Sequence, residues 1–153
     1  MELQPETEAG RRFVDVIESH VAVFRERAPV HDRESSFPVE NFAELRESGA
    51  AAAFVPESLG GFGLSSVHDW AIGIERLARG DASTAIALNM PLGISRNMAE
   101  AASGAEARGE PAGASAGMLQ AIAAGQLLIC ATATEAGTDF LRPNTTATRT
   151  EDG

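Results

Sequence analysis

Ala78-Arg79-Gly80-Asp81-Ala82-Ser83-Thr84 decides how this chain is organised, because one helix ends and another begins inside it. Gly80 suits the close of the pattern before it, and Asp81 offers a carboxylate acceptor to the free N–H groups of the alanine-rich run after it. On the N-terminal side, Val67, Trp70, Ile74 and Leu77 recur at helical spacing. Ser66 stands three residues before Asp69, a capping pattern that starts this helix. On the C-terminal side a long helix is expected through Ile86 and Met90 toward Met98. Pro91 lies within it, and a proline inside a regular helix costs about 3 kcal/mol, so a kink or break near Leu88 is expected.

Working outward toward the N-terminus, Phe13, Ile17, Val21 and Phe24 recur every three or four residues between Glu8 and Arg27, the pattern of an amphipathic helix. A second helix begins near Phe37-Pro38, turns Phe42 and Leu45 inward and ends at Gly49. A short apolar run from Ala50 then leads into Pro56-Glu57-Ser58-Leu59-Gly60-Gly61-Phe62-Gly63-Leu64. The glycines read as a tight turn or a close backbone approach. The loop lacks the glycine-lysine ending of a phosphate cradle.

Toward the C-terminus, Gly104 to Gly117 reads as a loop, and Met118 to Ala124 as a short last helix ending at Gly125. The texture changes at Gln126. Leu127 to Thr134 has the composition of a strand, Asn144 to Thr150 alternates as a half-buried strand does, and Asp152-Gly153 is a hairpin signal. The expected fold class is therefore mainly α: a helical domain over residues 1–125, then the first strands of an incomplete β-domain over 126–153. Two strands alone have unpaired edges, so further chain is expected to cover them.

Composition narrows the function. The chain has 153 residues, 44% hydrophobic, with a formal net charge of −10 and arginine as its only basic residue type besides three histidines. That charge, with no arginine cluster, argues against a nucleic-acid surface. No apolar run is long enough to span a bilayer and no secretory pattern opens the chain, so a cytoplasmic protein without a membrane partner is expected. Cys130 has no internal partner and is expected to be a small buried side chain. No histidines or cysteines stand at metal-ligand spacing, so no metal is expected; His68 reads as a surface residue.

In this order, the segments resemble the acyl-CoA dehydrogenase family of flavoproteins. Its Pro-Glu-x-x-Gly-Gly-x-Gly loop is matched by Pro56, Glu57, Gly60, Gly61 and Gly63, and its Ala-Arg-x-Asp-x-Ser-Thr pattern by Ala78 to Thr84. Its Thr-Glu-Pro-x-x-Gly-Ser-Asp signature is answered by Thr134-Glu135 and Gly137-Thr138-Asp139, shorter by about two residues and with Thr138 for the serine. The resemblance implies α,β-desaturation of an acyl thioester, with hydride passing to FAD. Ala131, Thr132, Ala133 and Thr134 would meet the flavin ring, Thr138 the thioester, and Ala87 and Met90 the acyl chain. The family's catalytic carboxylate comes from its C-terminal half, so no catalytic residue is assigned here; Glu135 is read as structural. An acyl-CoA substrate and a homo-oligomer are implied for the complete protein, with this portion inactive alone. Two alternatives stand beside this: the oxygenase component of a two-component flavin monooxygenase, using reduced FMN, and a truncated, non-catalytic helical module.

Overall fold

The computed structural model describes residues 2–111, 113–130, 142, 144–146 and 148–150. Helices α1 (Glu8–Glu34), α2 (Val39–Glu47), α3 (Val67–Gly80), α4 (Ala82–Ala107) and α5 (Gly113–Ala123) account for most of them, with 3₁₀ turns at Ala50–Ala52 and Glu57–Leu59.

The closest packing is between α1 and α3, which run in the same direction. Phe13 lies against Gly73, and Val21 and Phe24 lie against Gly80. A Cβ on Gly73 would come within 2.1 Å of the Phe13 ring, so this approach requires glycine. Phe13, Ile17 and Phe24 are fully buried, as their spacing predicts. α1 runs past Arg27 and includes Pro29. On α3, Ile72, Gly73, Leu77 and Gly80 are buried, whereas Val67 is 52% exposed. The expected Val67–Trp70–Ile74 stripe is thus the margin of the buried face. Tolerance for α1 at Gly73 and Gly80 rotates the helix toward its glycines.

Asp81 alone joins α3 to α4. Its N–H donates back to the Leu77 carbonyl, and its carboxylate accepts from the Ser83 and Thr84 amides, so one residue closes one helix and opens the next. α4 then runs through Pro91 as one helix, so of the kink or break expected near Leu88 the break does not occur. Proline leaves the carbonyl four residues earlier, that of Ala87, without its helical donor. The ring itself is buried with Leu88 and Leu92, and that packing holds the helix together.

Gly104 to Gly117 is mostly helical, not a loop: α4 continues to Ala107 and α5 begins at Gly113. Alanine is the strongest helix former and carries the helix through its glycines. α5 packs Leu119 and Ile122 on Ala52 and Val55, and Leu127 and Ile129 join that cluster while Leu128 joins the main core.

The expected strands are not formed by Leu127–Cys130, residues 144–146 or residues 148–150. Strands need a hydrogen-bonded partner, and the apolar side chains of Leu127 to Ile129 are engaged by the helices instead. Residues 131–134 of the first expected strand, and the Asp152-Gly153 turn, lie outside the described residues. Cys130 is exposed, against expectation, because the buried positions of its segment go to its three larger predecessors.

Candidate functional site

Of the residues singled out for cofactor and substrate, Ala131, Thr132, Ala133, Thr134 and Thr138 lie outside the described residues. Ala87 and Met90 are both on α4, where three-residue spacing puts them on one side. Ala87 is half-buried against the main core. Met90 is 51% exposed and Ile86, one turn earlier, 76% exposed, so this side of α4 presents an apolar surface. Beside it a groove of about 470 Å³ runs between α3 and α4, lined by Val67, Trp70, Ile74 and Asn89 among others. Trp70 stands edge-on to Phe54, their ring centroids 5.1 Å apart.

The glycine-rich loop is a structural turn. The Gly63 and Leu64 amides donate to the Val55 and Ala53 carbonyls, folding residues 56–64 back on the buried Ala50–Val55 segment. Gly61 approaches that segment so closely that a Cβ would lie 2.1 Å from the Val55 carbonyl oxygen. Phe62 is thereby buried, with the Arg12 guanidinium 4.2 Å from its ring centroid. The turn shapes one wall of a second groove, of about 580 Å³. Phe54, Glu57, Leu64 and Ser65 line it on the loop side, and Arg96, Ala99, Glu100 and Ser103 on the α4 side.

Two buried polar clusters hold this frame; the sequence marked Asp69 and Asp81 only as parts of helix caps, and it did not mark Asn41. Asp69 is fully buried on α3 and accepts hydrogen bonds from the Glu6 amide (2.9 Å), the Thr7 amide (3.0 Å) and the Thr7 hydroxyl (2.6 Å). Thr7 in turn caps α1 by accepting from the Gly10 amide. Burial pushes the Asp69 pKa up, but bonds from the Thr7 hydroxyl, the Glu6 amide, His68 and the Thr7 amide outweigh it and hold it well below the ordinary carboxylate value. The capping pattern at Ser66 was half right. Its hydroxyl oxygen accepts from the Asp69 amide, but the Asp69 carboxylate reaches across to α1.

The second cluster centres on Asn41, fully buried on α2. Its amide donates to the Thr84 hydroxyl (3.0 Å) and toward Asp81 (3.5 Å), while its oxygen accepts from Arg27 (3.0 Å). Thr84 donates its own proton to Asp81, and Arg27 is paired with Glu44 at 2.7 Å. α1, α2 and the start of α4 are thus fixed to one another through a single side chain. A faint signal existed: Asn41 shares a helical face with Leu45, where an apolar residue would be ordinary.

His31 bridges Ser36 and Glu40, and His20 lies 3.6 Å from Glu44. His68 is partly exposed with Nδ1 3.1 Å from Asp69, so all three histidines have structural neighbours. Among the described residues no cluster of histidine, cysteine or carboxylate side chains could hold a metal ion. Among them, too, no helix is long and apolar enough to cross a membrane.

Comparison with known proteins gives this frame a lineage. The amino sugar nitrososynthase DnmZ of Streptomyces peucetius is 33% identical over 150 residues, covering 98% of this chain and 35% of that protein. The putative acyl-CoA dehydrogenase YdbM of Bacillus subtilis is 34% identical over 103 residues, 67% of this chain and 27% of that protein. The chain thus spans about a third, or less, of the length of these relatives. Among solved structures, KijD3 in complex with FMN and dTDP-3-amino-2,3,6-trideoxy-4-keto-3-methyl-D-glucose superposes with a TM-score of 0.70 at 33% identity, over 81% of this chain and 30% of that one. Residues 7–108 match the family described as acyl-CoA dehydrogenase, N-terminal domain, and the chain belongs to that family.

Proposed function

We propose that this chain is the N-terminal helical domain of a flavin-dependent monooxygenase that oxidises the amino group of a nucleotide-linked sugar. The observation that carries the proposal is the match to an amino sugar nitrososynthase along 98% of the chain. A neighbour of the same fold, crystallised with FMN and a dTDP-linked amino sugar, supports it. Desaturation of an acyl thioester, the first expectation from the family motifs, becomes the second reading. It is favoured by the match to YdbM, which is shorter.

In this reading residues 126–153 open the middle β-domain, and Ala131 to Thr134 supply backbone and hydroxyl donors to the carbonyl and imine acceptors of the flavin ring. FMN replaces FAD as the preferred cofactor. Reduced flavin supplies two electrons that, with dioxygen, convert R–NH₂ to R–NHOH and water; a second equivalent of each gives R–N=O and two waters. Ala87, Met90 and Ile86 then form a wall of α4 that shields the reacting end of the sugar from water, a role that suits apolar side chains. Thr138 would meet the substrate beside the flavin.

In the longer enzyme that this reading requires, an amino sugar nucleotide with reduced FMN and air yields a product that has gained one oxygen and lost two hydrogens. An acyl-CoA added without oxygen leaves bound flavin oxidised. Anaerobic bleaching by an acyl-CoA, with no oxidation of the amine, overturns the proposal in favour of desaturation.

A further inference from the structure

We propose that Ser36, His31 and Glu40 form a nucleophile, base and acid relay that hydrolyses small uncharged esters, an activity separate from any flavin chemistry. The turn between α1 and α2 builds it. Ser35, in the left-handed region at φ 51°, closes α1, and the Ser36 amide donates back to the His31 carbonyl at 3.1 Å, returning the chain to the histidine. Pro38 then opens α2, whose first turn carries Glu40. The Ser36 hydroxyl stands 2.8 Å from His31 Nδ1, and Glu40 Oε1 stands 2.9 Å from Nε2. An ionised carboxylate can only accept, so Nε2 carries the ring proton and Nδ1 is left to accept from the serine. The Glu40 carboxyl is held below its ordinary value, first by its own backbone amide and then by His31. A hydroxyl is activated by these roles in this order: a base within hydrogen-bond reach, and a third group that orients the base.

The relay opens on a cavity of about 580 Å³ where α1, α2 and α4 meet, lined by His31 and Ser36 and also by Pro29, Asp32, Asp81 and Ser83. The Phe37 amide, next after the nucleophile, donates to no backbone carbonyl. It is the donor available to the oxygen of a carbonyl under attack, the part that the following amide takes at a nucleophile elbow. In the reaction, Ser36 Oγ bonds to the ester carbonyl carbon as its proton passes to His31 Nδ1. The bond from that carbon to the alcohol oxygen breaks, and the alcohol leaves with the proton. Water then gives a proton to the same nitrogen and attacks the acyl carbon, and Ser36 takes the proton back. Ester and water thus become acid and alcohol. Asp32 and Asp81 make the lining negative, which disfavours esters bearing phosphate or carboxylate and admits neutral short-chain ones.

The test uses the purified full chain with p-nitrophenyl acetate and with an alkyl fluorophosphonate, a reagent for activated serines. One phosphonate on Ser36, located by peptide mass, is expected, with ester turnover that Ser36→Ala abolishes and His31→Gln lowers at least about a hundredfold. Ser58→Ala, in the glycine-rich turn, should change neither. Glu40 positions the base, so its readout is the ¹⁵N spectrum of the His31 ring: the Nε2-protonated tautomer in wild type, and a mixture in Glu40→Gln. Labelling of Ser36 should slow in that variant and recover in part in Glu40→Asp. Circular dichroism separates loss of chemistry from loss of fold, and Ser36→Ala, at an exposed position, serves if another variant does not fold. Absence of a Ser36 adduct, an adduct on another hydroxyl instead, or ester turnover unchanged in Ser36→Ala overturns the proposal. Neither reagent involves flavin or oxygen, so the result is independent of amine oxidation.

Discussion

Asp69 shows how a single buried carboxylate can stay charged. Three donors from the segment before α1 converge on it, and the chain entering α1 is thereby tied to α3. Asp69→Asn should cost about 2 kcal/mol near neutral pH, the worth of hydrogen bonds made to a charge instead of an amide. The pH dependence has a definite sign. Because the folded pKa lies below the unfolded value, Asp69 contributes fully above the unfolded carboxylate range of about 4 and its contribution is lost as pH falls from there. Urea midpoints of wild type and Asp69→Asn should therefore converge on acidification; a constant gap would show that the charge is not the source. In the sequence Asp69 was legible only as the acid of a capping pattern. Its true partners, Glu6 and Thr7, are more than sixty residues away, and no local pattern encodes them.

At the scale of elements, two interfaces fix the frame. Gly73→Ala places a methyl inside the Phe13 ring, and overpacking of this kind costs about 1–3 kcal/mol, so thermal unfolding should move to a distinctly lower temperature. An unchanged midpoint would mean that α1 and α3 are less closely apposed. Thr84→Val keeps shape but removes the hydroxyl that accepts from Asn41 and donates to Asp81. Leaving the Asn41 amide short of a partner should cost about 1–3 kcal/mol. The double variant Asn41→Leu/Thr84→Val should recover part of that loss in a denaturation cycle, and strict additivity would contradict the coupling.

Helix existence was readable because it depends on local spacing and caps: Ser66, Asp81 and the Phe13–Ile17–Phe24 stripe all behave as their sequence implies. Helix orientation was not. The glycines of α3 and the burial of Pro91 depend on what lies across the interface, so the buried face of α3 and the continuity of α4 emerge only in three dimensions.

At the scale of the molecule, the same helical frame serves relatives with different chemistries, and the family motifs identify the frame more sharply than the reaction. The turn at Pro56–Gly63 and the Asp81 junction are architectural, one folding the loop onto Ala50–Val55 and the other joining α3 to α4. Both would be needed whether the substrate is a thioester or a sugar. Beyond these contacts the frame presents outward an apolar wall of α4 at Ile86, Ala87 and Met90 and a groove lined by Glu57 and Arg96. Isolated, the chain should bind FMN weakly or not at all by fluorescence titration, since few of its residues are expected to touch the cofactor; a stoichiometric yellow complex would contradict that.

The most direct measurement exchanges this chain into two hosts, replacing the matching N-terminal third of the Streptomyces peucetius amino sugar nitrososynthase and the corresponding part of the Bacillus subtilis putative acyl-CoA dehydrogenase. The nitrososynthase hybrid is predicted to oxidise its amino sugar with reduced flavin and oxygen, and the dehydrogenase hybrid to fail to reduce its flavin with any acyl-CoA. Turnover in the dehydrogenase host with none in the nitrososynthase host would contradict the account.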